Sequence, residues 1–367
     1  MASVTRRKFL RSAKAAAASA AVAAPAIAQS SPEIKWRLTT SWPKSLDALY
    51  GGALNFAKHV REATDHRFQI QCFEAGEIVP ALQATDAVAS GTVEACHTAP
   101  YYMWSKDPTF AFGAAVPFGL NGRMQTAWWY EGGGEALMNA FYAKYNIYGL
   151  LAGNTGAQMG GWFRKELTTP DDLKGLRMRI GGFGAAVITR VGMLPQQLTG
   201  GEALQALEKG TIDAAEWVGP HDDEKLGFYK VAKFYYYPGW WAGGAMVHIH
   251  VNKEKWEELP KAYKAICKAA AAETNDGVFA RYDAQNPIAL KRLLANGTQL
   301  RPFSEAILDV CFKAANELNA EISAKNEDFK KHWESTKAFR ADQYLWLQLA
   351  DNSYDTYMLI QQRKKTL

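Results

Sequence analysis

The sequence is poor in the residues that announce chemistry. It has four cysteines in 367 residues, Cys72, Cys96, Cys267 and Cys311, and their spacing holds no C-x-x-C pair and no zinc pattern. A chain of this length buries a core without staples, so these thiols are expected as small buried hydrophobes, although an oxidising compartment would permit disulfides. No G-x-S-x-G elbow, no H-E-x-x-H helix and no catalytic-cysteine signature occurs. Gly132-Gly133-Gly134 lacks the context of a phosphate loop, and Gly181-Gly182-Phe183-Gly184 does not complete a dinucleotide fingerprint. Both read as turns or close backbone approaches. Past the leader, no apolar run is long enough to span a bilayer. These absences count against an enzyme built on a nucleophile, a bound nucleotide or a hydrolytic metal.

What is present begins with an address. Thr5-Arg6-Arg7-Lys8-Phe9-Leu10-Arg11 is a twin-arginine pattern, an alanine-rich segment follows, and Ala26-Ile27-Ala28 is a cleavage site before Gln29. Residues 1–28 are therefore read as an export leader to the periplasm. The leader carries five basic residues (Arg6, Arg7, Lys8, Arg11 and Lys14) and no acid. Taking those five from the 42 basic residues of the chain leaves 37, equal to the 37 acids. The basic balance of the whole chain belongs to the leader, and nothing points to nucleic acid.

The remainder is long enough for two domains. Ile34 to Trp42, Phe68 to Phe73 and Val93 to Ala99 read as strands separated by helices, the alternation of a doubly wound parallel α/β sheet. Tyr101, Tyr102 and Trp104 follow the carboxyl end of the third strand, where a pocket wall is expected. Ile147 to Gly153 is a further strand, and Asn154 to Gly161 crosses to the second domain, carrying Gln158. Tyr235 to Trp241 is a second aromatic cluster.

Glu166 to Pro220 organises the rest. Thr169, Pro170, Asp171 and Asp172 open a short helix that Gly175 stops. Leu176 to Ile180 alternates as a strand, Gly201 to Lys209 has helical spacing, and Thr211 to Val218 returns to a strand. Arg179 thus stands at one strand end and Glu216 and Trp217 at another. An arginine offers a planar fork matched to a carboxylate, although a surface position beside Arg177 is the commoner fate of such a residue. A Glu216 buried near an anionic ligand would repel it unless a cation lay between them.

Leu173-Lys174-Gly175-Leu176-Arg177-Met178-Arg179, Gly192-Met193-Leu194-Pro195, and Ala206 to Glu216 in the same order resemble the solute-binding proteins of tripartite ATP-independent periplasmic (TRAP) transporters. The resemblance implies two doubly wound domains of the periplasmic-binding-protein type with a cleft between them, and no catalysis. The expected division is 29–153 with 244–285, then 154–243 with 286–335, then a C-terminal dimerisation helix over 336–367. The resemblance assigns Arg179 to a substrate carboxylate. In the branch that binds 2-oxo monocarboxylates such as pyruvate, it assigns Gln158, Glu216 and the Trp217 backbone to a bridging cation. Hard oxygen donors suit Na⁺, or alternatively Ca²⁺. Asn154, Tyr101, Tyr102, Trp241 and Phe183 complete the expected substrate-binding set. The expected partners are a small carboxylate, the TRAP membrane permease and a second copy of the chain. The alternatives are a binding protein for another small organic acid, the binding component of an ATP-driven importer, and an exported cofactor-dependent enzyme.

Two clusters outside this set are assigned bland roles. His221, Asp222, Asp223 and Glu224 read as a solvated first helical turn. His248 and His250 share one strand face without a nearby third ligand, and read as structural. The tail from Ala338 to Arg363 is apolar around most of its circumference, with a kink expected at Asp351-Asn352-Ser353. A tail of that kind covers a twin, or else the back of its own domains.

Overall fold

The structure, a computed structural model, describes residues 32–366. The expected leader, with its twin-arginine motif and cleavage point, lies outside the described residues. β1 (Ile34–Thr40) shows the period of a half-covered strand, with Trp36 and Leu38 buried and Lys35 and Arg37 exposed. β2 (Phe68–Phe73), β3 (Ala95–Thr98) and β4 (Ile147–Asn154) follow. Next come β5 (Trp162–Phe163), β6 (Arg177–Arg179), β7 (Leu194–Gln196), β8 (Ala214–Ala215) and β9 (Phe234–Tyr237), and last β10 (Met246–Asn252) and β11 (Gln299–Pro302).

These strands build two sheets, ordered β2-β1-β3-β10-β4 and β11-β9-β5-β8-β6-β7. The expected α/β architecture is present, but neither sheet is purely parallel. β10 runs antiparallel to β3 and β4, and β5 runs antiparallel to β8 and β9. The reason lies in the connections. β5 and β10 each enter their sheet directly from a strand of the other sheet, without the crossover helix that a parallel neighbour requires. The strand expected over Thr211 to Val218 is assigned only at Ala214–Ala215, although the Asp213 and Glu216 amides still donate to the Arg177 and Arg179 carbonyls of β6 at 2.7 and 3.1 Å.

The helix starts follow their capping chemistry. Thr169 and Asp172 form a reciprocal capping box over the single turn Pro170–Leu173, and Thr199 and Glu202 form another before Gly200–Lys209. A break at Leu259-Pro260 precedes one helix of 35 residues, Lys261–Ala295, which continues through Pro287. The proline removes one internal hydrogen bond. Packing keeps the helix whole, because it lies against Leu49–Ala63, β4 and Pro220–Leu226, and so serves elements of both sheets.

The tail is two helices, Glu327–Leu347 and Asp351–Arg363. Phe329, His332 and Thr336 bury the start of the first against the body. The second has no buried residue. The break falls just before the expected kink, and Ser353 Oγ there donates to the carbonyls of Leu349 and Ala350. This is the side-chain competition for helix carbonyls that polar residues bring. Cys96, Cys267 and Cys311 are buried and Cys72 is half-buried, all as free thiols.

Candidate functional site

β6 carries Arg179 inward. Arg177, two residues earlier, spends its fork at the surface on Asp213, with bonds of 2.9 and 2.8 Å. Arg179 is 1 % exposed. Its Nε donates to the Leu198 carbonyl at 2.9 Å, and its Nη1 donates to the Glu216 carbonyl at 2.5 Å and to Glu216 Oε1 at 2.6 Å. The Trp217 ring covers the guanidinium, 4.5 Å from Cζ. Arg179 Nη2 is left without a hydrogen-bond partner, as are the indole nitrogens of Trp217 and Trp241. An unpaired buried donor is costly, so these three atoms are a standing demand for an acceptor. Because Leu198 and Glu216 take Nε and Nη1, Nη2 is the guanidinium nitrogen left for a ligand.

The charges are tuned by burial. Desolvation pushes the Glu216 carboxyl up to about 7 against the pull of Arg179. Desolvation would also depress Arg179, but Glu216 and the two neighbouring tyrosines more than offset it, so the guanidinium stays charged.

Two small cavities lie beside this pair and share Tyr101 and Gln158 as a common wall. One is walled by Trp42, Leu49, Ala99, Tyr102, Trp217 and Val247, among others. The other includes Phe183, Glu216, Trp241 and Ala115. Their volumes, about 10 and 20 Å³, match single waters and fall far below a ligand site. Entry of anything larger than a water therefore requires these walls to part. The Gln158 amide donates from Nε2 to Thr155 Oγ1 at 3.1 Å, which leaves Oε1 as an acceptor. With the Glu216 carboxylate it gives the hard-oxygen donor types that an alkali or alkaline-earth cation takes. Among the described residues no group of three His, Cys, Asp or Glu side chains could hold a metal.

Of the residues singled out in the sequence, the structure gathers Arg179, Glu216, Trp217, Gln158, Tyr101, Tyr102, Phe183 and Trp241. Phe183 stacks on Trp104 at 4.8 Å, and Tyr101 packs edge-on to Tyr102 at 5.0 Å. Asn154 is not gathered. Its Nδ2 donates to Gln125 Oε1 and its Oδ1 accepts from the Gly156 amide, so the side chain braces the crossing out of β4.

The acidic turn is corrected. His221, Asp222 and Asp223 are buried and not solvated. Asp223 accepts from Trp162 Nε1 and Tyr235 Oη at 3.0 and 2.7 Å, and Asp222 accepts from Tyr282 Oη at 2.7 Å. A helix start does favour acids, but these two were selected by buried aromatic donors that lie far away in sequence. His248 and His250 are buried against Trp129 and Tyr142. Trp42, Thr155 and His97 were missed. The only signal for Trp42 was its place at the end of the first strand.

Two mixed α/β sheets and a buried arginine–carboxyl pair are the features set against known proteins. Residues 39–326 match the bacterial extracellular solute-binding proteins of family 7, and the chain belongs to that family. It is 50% identical over 326 residues, 89% of each chain, to a monocarboxylate 2-oxoacid-binding periplasmic protein of Nostoc sp.. A TRAP transporter solute-binding protein from Bordetella bronchiseptica is 46% identical, with a TM-score of 0.90 over 91% of this chain and 99% of that one; it is a mixed-occupancy dimer with copurified calcium and picolinate. A second, from Pseudoalteromonas atlantica, is 36% identical, with a TM-score of 0.85 over 88% and 98%, and holds sodium and pyruvate. The chain is a periplasmic solute-binding protein of the TRAP type, a receptor and not an enzyme.

Proposed function

We propose that this receptor binds a 2-oxo monocarboxylate, with pyruvate as the type, and delivers it to a TRAP membrane permease. The observation that carries the reading is the buried Arg179–Glu216 pair, with Arg179 Nη2 unpartnered under the Trp217 ring and Glu216 sharing a cavity wall with Gln158. An anion answers the free donor, and a cation answers the carboxylate. Gln158, Glu216 and the Trp217 backbone hold Na⁺ or Ca²⁺, and the cation supplies charge that lets two carboxylates share one desolvated site. A 2-oxo acid suits this arrangement, because its keto oxygen and carboxylate can both face one hard cation. Picolinate, found with calcium in the Bordetella protein, has the same pattern of a donor atom beside a carboxylate. It favours a second reading in which the acid is a heteroaromatic carboxylate.

Ligand and cation shift the balance between parted and closed halves by binding the closed form more tightly. The division into 29–153 with 244–285, 154–243 with 286–335, and a tail places the cleft between the two sheets. The tail is the dimer element. Leu345, Trp346, Leu349, Tyr354 and Tyr357 are all more than half exposed, an apolar surface that a second copy would cover. Export follows the twin-arginine route. Calorimetric titration of chelator-treated protein with pyruvate and picolinate, in Na⁺ and in Ca²⁺, tests the reading. Tight pyruvate binding that needs one of these cations is expected; binding of neither acid in either cation overturns it.

A further inference from the structure

The indole of Trp42 faces the Arg179 site from the side of the first sheet. Its ring meets Trp217 edge-on, with centroids 6.4 Å apart at 86°, and meets Tyr102 at 6.2 Å. Trp217 in turn lies over Arg179. The main chain of Trp42 is held by Thr40 Oγ1, which donates to the Trp42 carbonyl at 2.9 Å, and by the Ala75 amide, which donates to the same carbonyl at 3.0 Å. The indole has a different anchor. Trp42 Nε1 donates to His97 Nδ1 at 3.0 Å.

His97 sits on β3, directly opposite Thr40 of β1, and is fully buried. Its other nitrogen, Nε2, lies 3.1 Å from the Ala152 carbonyl of β4. The Leu49 backbone also lies against the ring, and the Trp42 donor and the Ala152 acceptor select one tautomer. Nε2 carries the proton and donates to Ala152, and Nδ1 is the acceptor for the indole. Burial holds the ring's pKa down to about 4, which keeps it neutral. The helix Leu49–Ala63 packs close to the ring at Gly52. A Cβ there would stand 3.3 Å from His97 Cε1 and 2.9 Å from Val278 Cγ2.

We propose that His97 is a positioning residue for ligand binding, holding the Trp42 indole as the wall that presses on Trp217 when the cleft closes. The proposal rests on the binding function stated above. The line of contact runs from the Ala152 carbonyl through His97 and Trp42 to Trp217 and Arg179. Without the His97 acceptor, the indole N–H is buried and unpaired, and the ring loses its fixed angle to Trp217.

The two nitrogens of His97 can be tested separately. His97→Asn keeps an acceptor at the place of Nδ1 and loses the bond to Ala152. His97→Gln keeps a donor at the place of Nε2 and loses the acceptor for Trp42. Each leaves one buried partner unpaired, so their effects on stability are similar. The full-length protein is titrated calorimetrically with pyruvate and the supporting cation, for the wild type, His97→Asn, His97→Gln, Trp42→Phe and the His97→Gln/Trp42→Phe double variant. His97→Gln and Trp42→Phe are each expected to weaken binding about five- to tenfold, the worth of one buried hydrogen bond. His97→Asn is expected to stay within about twofold of the wild type, and the double variant to be no weaker than Trp42→Phe alone. Equal losses in the Asn and Gln variants, or losses that add in the double variant, would overturn the proposal. If the His97 variants do not fold, Trp42→Phe decides alone, and unchanged affinity overturns it. A wild type that binds no acid tells instead against the binding function. The ultraviolet resonance Raman marker of indole hydrogen bonding, taken as a difference against Trp42→Phe, then serves as the readout. It should be lost in His97→Gln and kept in His97→Asn, and identical spectra refute the positioning role.

Discussion

Ligand uptake should release a proton near neutral pH, and Glu216 should be its source. The carboxyl of Glu216 is raised from 4.5 to about 7 by burial, a difference of about 3 kcal/mol between its charged and neutral forms. A cation can use only the ionised form, so binding competes with the proton. Apparent affinity for pyruvate in the supporting cation is expected to be flat above about pH 7.5 and to fall by nearly a decade for each unit below 7. At pH 6, one unit under the raised pKa, the loss is about tenfold. Calorimetry in two buffers of different ionisation enthalpy should show close to half a proton released per ligand at pH 7. Glu216→Gln should abolish both the slope and the proton release, and should weaken binding at high pH because the cation loses its charged partner. The same shift has a stability side. A carboxyl whose folded pKa is raised stabilises the fold most fully at low pH, and the contribution is lost as pH rises from about 4.5 through 7. Asp222 and Asp223, raised by burial to about 7 and about 6, act in the same sense. A pH-independent affinity between 5.5 and 8, or an unchanged slope in Glu216→Gln, would refute the reasoning.

Arg179→Lys should weaken pyruvate binding at least tenfold, because an ammonium cannot hold Leu198, Glu216 and a ligand at once. Arg179→Ala should lose about 3–5 kcal/mol of binding, and wild-type affinity in either variant would remove Arg179 from the site. Gln158→Ala should make the remaining affinity indifferent to exchange of Na⁺ for Ca²⁺, read by titration after chelation. Truncation after Ala338 should convert a dimer into monomers or aggregates on light scattering, and a wild-type monomer at micromolar concentration would defeat the dimer proposal. Asp47 follows β1, lies 2.9 Å from His221 Nε2, and accepts from Lys225 Nζ and from Arg281 Nη1 at 3.4 Å. Asp47→Asn should therefore speed pyruvate release by about two- to fivefold in stopped flow, with less effect at high salt. Equal release rates at low salt would show that this half-exposed cluster does not slow ligand release.

The parts of this protein that could be read from sequence are those whose causes are local. The capping residues at Thr169 and the alternation of β1 each act within a few residues, and a short window shows them. Arg179 and Glu216 stood out at strand tips, but their roles came from the resemblance, since the residues alone allowed a surface arginine and a strand-end acid. The misreadings share the opposite cause. Asp222 and Asp223 fit the composition of a solvated helix start, but Tyr282, Tyr235 and Trp162 bring donors from other elements and bury them. Asn154 stands beside the site in sequence, yet Gln125 takes its amide. The directions of β5 and β10 depend on the chain passing twice between sheets, and no local pattern marks that. His97 is the clearest case. In sequence it is one histidine in a strand; its role depends on an indole that reaches it from the end of β1 and a carbonyl from β4, with Gly52 making room. What fixes the cleft wall is a three-strand coincidence, so the residues that position a ligand here are harder to read than those that touch it.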